Sequence, residues 1–295
     1  MNPIVLSGRE AGAALIQKIA QKTAEIVAQG FRPPTLVVVQ VGGDAASSVY
    51  IKQKAKAAND CGFGFHHEVI ASEASEREIA QKISRYSDDP CVDGIILQLP
   101  LDSKTVKDPR KVQALLSCIP ADKDADGLDT LNQGRLFTGE SPYEGISPYP
   151  IPATALGVVR LLQHFQIPVK GKRVVVVGRS RLVGAPVSAL LIQMGGTVTT
   201  CHRHTTDLIR HTREAEILVA CAGKRHLISP QHVQAGSVVI DVGIHSTENG
   251  KLTGDVDPAC YPLLAAYSPV PGGIGPMTVA GLMENTLNLR SVRED

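Results

Sequence analysis

The stretch from Arg173 to Gly184 reads RVVVVGRSRLVG and constrains the fold more than any other part of the chain. Its four consecutive valines predict a strand that is apolar on both faces, as in a buried parallel sheet. Gly178 ends that strand, and Gly184-Ala185-Pro186 predicts the start of a helix running to about Met194. A strand, a glycine turn and a helix present free backbone N–H groups to a pyrophosphate in dinucleotide folds. The match to G-x-G-x-x-G is imperfect, because Ser180 replaces the second glycine and Gly184 comes one residue late, so a turn that binds nothing stays open as an alternative.

The next predicted strand, 196–201, indicates which dinucleotide would fit. It ends about 20 residues after the glycine turn, at the position where NAD binders place an acidic residue for the ribose hydroxyls. Here the chain reads His202-Arg203-His204, and Arg179 lies in the turn itself. Two guanidinium groups can pair with a 2′-phosphate, so the pattern favours NADP over NAD. The two histidines could be taken as metal ligands, but a surface loop beside a phosphate site is the better interpretation, and no metal site is predicted.

Composition limits the remaining classes. A length of 295 residues is enough for two domains, each with its own core. A net charge of +1 gives no reason to expect nucleic-acid or acidic-membrane binding. The six cysteines are scattered without C-x-x-C spacing, which indicates free thiols in a reducing cytoplasm. No apolar run is long enough for a membrane span, and the N-terminus lacks signal-peptide features.

Alternating strands and helices predict an α/β fold with parallel sheets. Pro148–Pro152 ends a turn-rich stretch from Cys118 onwards and is interpreted as the domain boundary, and 268–276 as a second rigid connector. We therefore expect a catalytic domain over 1–150, completed by the C-terminal helix 277–295, and a Rossmann-type domain over 151–276. The predicted helices are 7–29, 45–60, 75–86, 108–117, 153–165, 184–194 and 277–289. The predicted strands are 35–41, 65–70, 93–99, 173–177, 196–201, 217–221 and 237–242.

Four polar side chains in the first domain are candidates for chemistry. Tyr50 and Lys54 are spaced i, i+4 and share one face of a predicted helix. Gln98 lies at the carboxyl end of a strand, where ligands of open α/β sheets bind, and Asp126 lies in a turn. The plain alternatives are a solvated lysine, a packing tyrosine, a surface glutamine and an acidic turn. The Tyr-x-x-x-Lys pair of short-chain dehydrogenases does not fit, because that pair follows the glycine turn in the same domain.

Ordered blocks of sequence across nearly the whole chain resemble one family, the bifunctional methylenetetrahydrofolate dehydrogenase/methenyltetrahydrofolate cyclohydrolase of the FolD type. The blocks are VGGDAASSVYIKQKAKAANDCGF (41–63), DGIILQLPL (93–101), DKDADGLDTLNQGRL (122–136), VVVVGRSRLVGAPV (174–187), TVTTCHRHTTDL (197–208), VIDVGI (239–244), GDVD (254–257) and SPVPGGIGPMT (268–278). The last block is the most distinctive. The resemblance implies a cleft between two α/β domains, a cytoplasmic homodimer formed through the second domain, and a place in one-carbon metabolism, tetrahydrofolate interconversion and purine biosynthesis.

The resemblance also implies roles for individual residues. Lys54 would be the catalytic lysine, Tyr50 would stack on the folate, Gln98 would hydrogen-bond near Lys54, and Asp126 would hold the pterin ring. The loop Pro271, Gly272 and Gly273 would line the folate site. For NADP, the implied residues are Gly178, Arg179 and Ser180 at the phosphates, Arg203 at the 2′-phosphate and Ile244 at the nicotinamide.

The chain departs from the family pattern at a few positions. Asp102 replaces the last proline of Gln-Leu-Pro-Leu-Pro. Ala153 and Ala155 stand where the family usually has cysteine and proline. The proline before the Lys-Asp motif is displaced to Pro120. None of these positions carries an implied catalytic group, so we expect effects on loop shape and hinge closure only.

The chemistry is consistent with this set of residues. Hydride transfer from methylenetetrahydrofolate to NADP needs two aligned reactants and no base. Hydrolysis of the methenyl product to 10-formyltetrahydrofolate needs proton transfers, which a partly neutral Lys54 could supply. The expected enzyme is therefore bifunctional. A dehydrogenase without cyclohydrolase activity, or a non-catalytic dinucleotide-binding protein, are the alternatives.

Overall fold

A computed structural model describes residues 2–139, 147–247 and 249–292. The chain divides into two compact units. Met1–Ala13 and Thr154–Thr278 form one, called the six-stranded unit here after its main sheet. Ala14–Ala153 and Val279–Asp295 form the other, called the three-stranded unit. Parts of the predicted domains, 140–146 and the end of the helix 277–295 from 293 onwards, lie outside the described residues.

The described ranges hold the following elements. The helices are α1 Gly8–Ala28, α2 Ala45–Asp60, α3 Glu76–Ser87, α4 Pro109–Leu116, α5 Thr130–Thr138, α6 Ala153–His164, α7 Gly184–Gln193, α8 Leu208–Arg213 and α9 Ile274–Val292. The strands are β1 Ile4–Val5, β2 Thr35–Val41, β3 Gly64–Ile70, β4 Gly94–Leu97, β5 Arg173–Val177, β6 Thr197–Cys201, β7 Ile217–Ala220, β8 Val238–Asp241, β9 His245–Ser246, β10 Leu252–Thr253 and β11 Ala266–Tyr267. Short 3₁₀ helices cover Pro230–His232 and Pro258–Leu263.

A parallel sheet of order β3-β2-β4 forms the centre of the three-stranded unit. Strand β2 reads TLVVVQV. Apolar side chains project from both of its faces, so the strand is buried along nearly its whole length. One core, which includes Leu36, Val38 and Ile96, packs with residues of α9, and the other, which includes Val37, Val39 and Ile95, packs with residues of α3 and α4. An isolated parallel bridge between Ile95 and Asp124 continues the sheet beyond β4.

A parallel sheet of order β1-β11-β8-β7-β5-β6 forms the centre of the six-stranded unit, and β9 and β10 make a separate antiparallel pair. Strand β5 carries the four valines, all buried, and lies between β7 and β6. The parallel α/β prediction is thus confirmed. The N-terminus differs from the expected grouping of 1–150, because Ile4 and Val5 pair with Ala266 and Tyr267. A strand of two residues has no periodicity from which its partner could be predicted.

The elements missing from the sequence prediction are short or lie in turn-rich sequence. Helix α5 lies inside the stretch interpreted as turns, where Asp129 caps its N-terminus and Gly139 ends it in a left-handed conformation. Helix α8 has six residues, and β1, β9, β10 and β11 have two each. Helix α9 starts at Ile274, inside the predicted connector. Such elements depend on tertiary contacts more than on local pattern.

Candidate functional site

Helix α2 carries the Tyr50–Lys54 pair, and its start is well fixed. The side chain of Asp44 accepts a hydrogen bond from the Ser47 backbone N–H at 2.7 Å, which caps the helix. Ser47, Tyr50 and Lys54 follow each other at spacings of three and four, so they share one helix face. The Ser47 hydroxyl is buried and has no hydrogen-bond partner among the described residues. The fold therefore leaves one polar group of this face, the Ser47 hydroxyl, without a partner among the described residues.

Lys54 is not a solvated lysine. Only 8% of the residue is exposed, and its Nζ donates to Oε1 of Gln98 at 2.9 Å. The amide of Gln98 donates from Nε2 to the Leu99 carbonyl at 2.7 Å, which leaves Oε1 directed at the lysine. The Gln98 backbone N–H donates to the Val39 carbonyl, so the end of β4 is held against β2. The sheet thus fixes the partner that orients Lys54.

Burial lowers the pKa of Lys54, and the negative charge of Asp126 opposes this shift by a smaller amount. A lysine in this position gives up its proton more readily than a surface lysine. Burial raises the pKa of Tyr50, so the phenol stays protonated at neutral pH. The pair therefore combines a neutral aromatic ring with an amine able to exchange a proton.

The loop that carries Asp126 is anchored by two buried side chains that sequence reasoning missed. Asp124 accepts hydrogen bonds from the Asp129 backbone N–H at 2.7 Å and from Asn132 at 3.2 Å, and burial raises its pKa to about 6. Asn285 of α9 donates from Nδ2 to the carbonyls of Ala125 and Ile151. Asp124 stands two residues before Asp126, which was a usable signal. A lone asparagine in an apolar helix gave none.

The residues at which the chain departs from the family pattern are buried or make hydrogen bonds within the fold. Ala153 and Ala155 are both buried, with 2% and 0% exposure. The carboxylate of Asp102 accepts from the Gly43 backbone N–H at 3.0 Å. A Cβ on Gly42 would lie 2.1 Å from the Asp102 carbonyl oxygen, so the turn after β2 packs directly on Asp102. Pro120 accepts a backbone hydrogen bond from Lys123.

The glycine turn after β5 is shaped by close backbone packing. Gly178 has φ +138°, and a Cβ there would lie 2.3 Å from the Cys221 carbonyl oxygen. A Cβ on Gly184 would lie 2.2 Å from the Gly178 carbonyl oxygen. The Ser180 hydroxyl accepts from the backbone N–H groups of Val183 and Gly184, at 3.2 and 3.4 Å. Ser180 therefore organises the start of α7 from the place where the common pattern has a glycine.

A cavity of about 630 Å³ opens at the carboxyl ends of β5, β6 and β7. Gly178, Arg179, Ser180 and Arg203 all line it, so four of the five residues expected at the cofactor come together there. Ile244 is not in this lining, and 44% of it is exposed. The described residues around the cavity include no Asp or Glu, whereas Lys224 adds a third cation beside the two arginines. A phosphate-rich ligand fits this charge, and an acid for ribose hydroxyls is lacking.

Two buried aspartates hold the loops beside this cavity. Asp255 accepts at Oδ2 from the backbone N–H groups of Ala222 and Gly223, at 2.6 and 2.9 Å, and its Oδ1 lies 2.7 Å from Nε2 of His245. Asp241 accepts from the N–H groups of Gly243 and Asp255. Burial raises the pKa of Asp241 to about 6. The VIDVGI and GDVD blocks are thus the two halves of one hydrogen-bonded network.

The Pro-Gly-Gly loop packs on the start of α1. Gly272 has φ +104°, and its carbonyl accepts from the Arg9 backbone N–H at 3.2 Å. A Cβ on Gly8 would lie 1.7 Å from the Gly273 carbonyl oxygen. The roles given to Pro271, Gly272 and Gly273 toward folate stay predictions. Within the described ranges, no helix has the length and apolar character needed to cross a membrane, and no three potential ligand side chains are grouped as a metal site.

Comparison with known proteins points to one family. The model described as tetrahydrofolate dehydrogenase/cyclohydrolase, catalytic domain, matches residues 6–126, and the one described as its NAD(P)-binding domain matches 152–294. The bifunctional protein FolD of Synechococcus sp. (strain RCC307) is 45% identical over 98% of this chain and 96% of its own length. FolD of Burkholderia ambifaria is 39% identical, over 97% and 96%.

Solved structures agree. The bifunctional FolD of Campylobacter jejuni is 35% identical with a TM-score of 0.89, covering 98% of each chain. The Trypanosoma brucei FolD, solved in complex with NADP cofactor and inhibitor, is 32% identical with a TM-score of 0.89, covering 99% of each chain. The similarity therefore extends over both units and over the regions that hold Lys54 and the glycine turn.

Proposed function

Because the chain belongs to the tetrahydrofolate dehydrogenase/cyclohydrolase family, we propose that it oxidises 5,10-methylenetetrahydrofolate with NADP and then hydrolyses the methenyl product to 10-formyltetrahydrofolate. The observation that carries this proposal is the buried Lys54 held by Gln98 at 2.9 Å. A hydride transfer does not need such a lysine. A hydrolysis does, because protons must move.

The cavity at the carboxyl ends of β5–β7 fits NADP, which supplies the hydride acceptor for the oxidation. The turn of Gly178, Arg179 and Ser180 suits the phosphates of the dinucleotide, and Arg179 with Arg203 suits the 2′-phosphate. Ile244 is proposed for the nicotinamide end. The protein's task in this step is to hold the donor carbon and the acceptor ring in contact, and the rigid turn at Gly178 serves that task.

In the hydrolytic step, neutral Lys54 takes a proton from the water that attacks the methenyl carbon. The carbon–nitrogen bond to N5 then breaks, and the protonated lysine returns a proton to N5. One proton from the tetrahedral adduct passes to solvent. The positive charge of the substrate leaves with this proton, so the product is neutral. Gln98 keeps the amine aimed at the reacting carbon, and the cationic substrate favours the neutral amine further.

The pterin is proposed to lie against Tyr50 and to donate its amino and ring N–H groups to Asp126. Both residues flank Lys54: Tyr50 on the same helix face, and Asp126 close enough to influence the lysine electrostatically. The anchors at Asp124 and Asn285 fix the Asp126 loop. Pro271, Gly272 and Gly273 are proposed to complete the folate pocket.

We further propose that the protein acts as a homodimer in the cytoplasm and provides formyl groups for purine biosynthesis. The family resemblance supports the dimer and the pathway. The free cysteines, among them the buried Cys61, Cys201 and Cys260, are compatible with a reducing compartment.

The test uses purified protein with methylenetetrahydrofolate and either NADP or NAD, following both the methenyl compound and its hydrolysis product. Reduction of NADP with little free methenyl compound, and formyltetrahydrofolate as product, is the expected result. If the methenyl compound accumulates and decays at the rate seen in buffer alone, the protein is a dehydrogenase only, and the role of Lys54 in hydrolysis is wrong.

A further inference from the structure

The antiparallel ribbon of β9 and β10 is too short to hold its own position. Each strand has two residues, and the ladder consists of His245 opposite Thr253 and Ser246 opposite Leu252. An isolated two-stranded ribbon is at best marginally stable in water. Ile244, the residue proposed for the nicotinamide end, directly precedes this ribbon. The position of Ile244 therefore depends on the contacts that hold the ribbon in place.

The carboxylate of Asp255 connects this ribbon to the wall of the cofactor cavity. Asp255 is fully buried, and its Oδ1 accepts from Nε2 of His245 at 2.7 Å. Its Oδ2 accepts from the backbone N–H groups of Ala222 and Gly223, at 2.6 and 2.9 Å. Ala222 lines the cavity. One side chain thus ties the first residue of β9 to the loop that bounds the cofactor.

The residue on the other side of Ile244 is fixed in a similar way. The Gly243 N–H donates to Oδ1 of Asp241 at 2.9 Å, and a Cβ on Gly243 would lie 2.3 Å from Oδ1 of Asp255. Asp241 also accepts from the Asp255 backbone N–H at 3.0 Å. Both neighbours of Ile244 are therefore bound to buried carboxylates, whereas 44% of Ile244 itself is exposed. Ile244 is the projecting residue between two fixed ones.

A second imidazole attaches the other strand of the ribbon. Nε2 of His226 lies 2.8 Å from Oγ1 of Thr253, and the His226 backbone N–H donates to the Gly254 carbonyl at 3.2 Å. These contacts hold β10 to the loop after β7 without involving Ile244 or His245. Loss of the His245 side chain alone should therefore loosen Ile244 while the ribbon stays attached.

We propose that His245 is a positioning residue for hydride transfer: through Asp255 it holds Ile244 where this side chain supports the nicotinamide ring. The inference rests on the proposed function, because it requires NADP in the cavity. It concerns the reacting end of the cofactor, whereas Arg179 and Arg203 are proposed for its phosphates. A misplacement of about 1 Å can cost on the order of a hundredfold in rate. Loss of His245 should therefore slow hydride transfer more than it weakens NADP binding.

His245→Phe keeps an aromatic ring and removes the hydrogen-bond donor. We expect kcat of the dehydrogenase to fall by about tenfold or more, while the NADP dissociation constant from isothermal titration stays within about twofold. Hydrolysis of added methenyltetrahydrofolate should be unchanged, which shows that the variant is folded. The deuterium isotope effect on NADP reduction, measured with substrate deuterated at the methylene carbon, should rise, because the hydride step itself becomes slower.

Two further variants make the test specific. His245→Gln carries an amide N–H donor in place of Nε2 and should restore most of kcat. His211→Phe is the matched control, because His211 lies in the same unit outside the cavity lining, and it should behave like the wild type.

Three results would overturn the proposal: an unchanged kcat in His245→Phe, a weaker NADP affinity at unchanged kcat, or a loss of kcat that His245→Gln does not restore. Equal loss of dehydrogenase and cyclohydrolase activities would also overturn it, because His245 would then support the fold as a whole. A wild type that transfers no hydride to NADP would refute the proposed function and this inference with it. If the wild type is active, any of the results above refutes the role of His245 alone.

Discussion

At the residue scale, the proposed chemistry depends most on Lys54. Burial lowers the pKa of this lysine, and its Nζ donates a hydrogen bond to Gln98. Lys54→Met keeps the volume and removes the proton carrier. We expect loss of cyclohydrolase activity by at least a hundredfold, in line with general acid–base contributions, with part of the dehydrogenase activity retained. Separate assays of methenyl hydrolysis and NADP reduction check this.

The exposed Lys52 on the same helix provides the control, and Lys52→Met should leave both activities unchanged. Equal loss of both activities in Lys54→Met, with folate binding intact, would contradict the separation of roles between the two steps.

A second prediction at the residue scale concerns the side chain of Arg203. It lines the cavity that has three cations and no described acid. A hydrogen bond to a charged group contributes about 1.5–3 kcal/mol, so Arg203→Ala should raise KM for NADP roughly 10–100-fold while changing KM for NAD little. Arg225→Ala is a matched control, because Arg225 is exposed and outside this lining. A parallel rise of both KM values would show that Arg203 does not read the 2′-phosphate.

At the scale of elements, replacing a glycine by alanine has opposite effects at two positions, depending on which atoms the added Cβ would contact. In the β5–α7 turn, Gly184→Ala would place a methyl group 2.2 Å from a backbone oxygen of Gly178. The turn must shift, so we expect loss of measurable NADP binding. In α5, Gly134 is exposed with open space around it, and Gly134→Ala should raise the free energy of unfolding by about 0.5–1 kcal/mol.

Isothermal titration with NADP and urea unfolding followed by far-UV circular dichroism measure the two effects. Gly184→Ala that binds NADP like the wild type would mean that this turn does not shape the cofactor cavity.

At the scale of the whole molecule, buried carboxylates set the dependence of stability on pH. Burial raises the pKa of Asp124 and of Asp241 from 3.8 to about 6. Between these values the folded state binds more protons than the unfolded state, so this contribution to stability falls as pH rises from about 4 to 6. Glu68 acts in the other direction, because hydrogen bonds from Lys82 and Tyr86 lower its pKa from 4.5 to about 2. Its contribution to stability is fully present above pH 4.5 and is lost as the pH falls from 4.5 to about 2.

We therefore expect the contribution of Asp124 and Asp241 to the free energy of unfolding to decline from about pH 4 to 6, while His67 and His232, whose pKa values burial lowers from 6.5, oppose this decline. Urea unfolding at steps across this range measures it. Asp124→Asn removes one titrating carboxylate and should make the decline shallower. A steeper decline in that variant would assign the dependence to other groups.

The sequence by itself determined the order of the long elements. Local rules suffice for these: the four valines of β5 define a buried strand, and Ser75 with Glu78 forms the capping box that starts α3. The turn-rich run before Pro152 concealed α5, because the cap at Asp129 precedes a helix too short for a clear period.

Only the tertiary structure decided which distant residues meet. Lys54 and Gln98 lie on different elements, and their contact requires β4 to pair with β2. Asn285 reaches the Asp126 loop from the far end of the chain, and β1 joins the sheet beside β11. Burial and long-range hydrogen bonds, which move the pKa of Lys54 and of Asp124, arise when the chain packs, because no local pattern encodes which surfaces exclude water together.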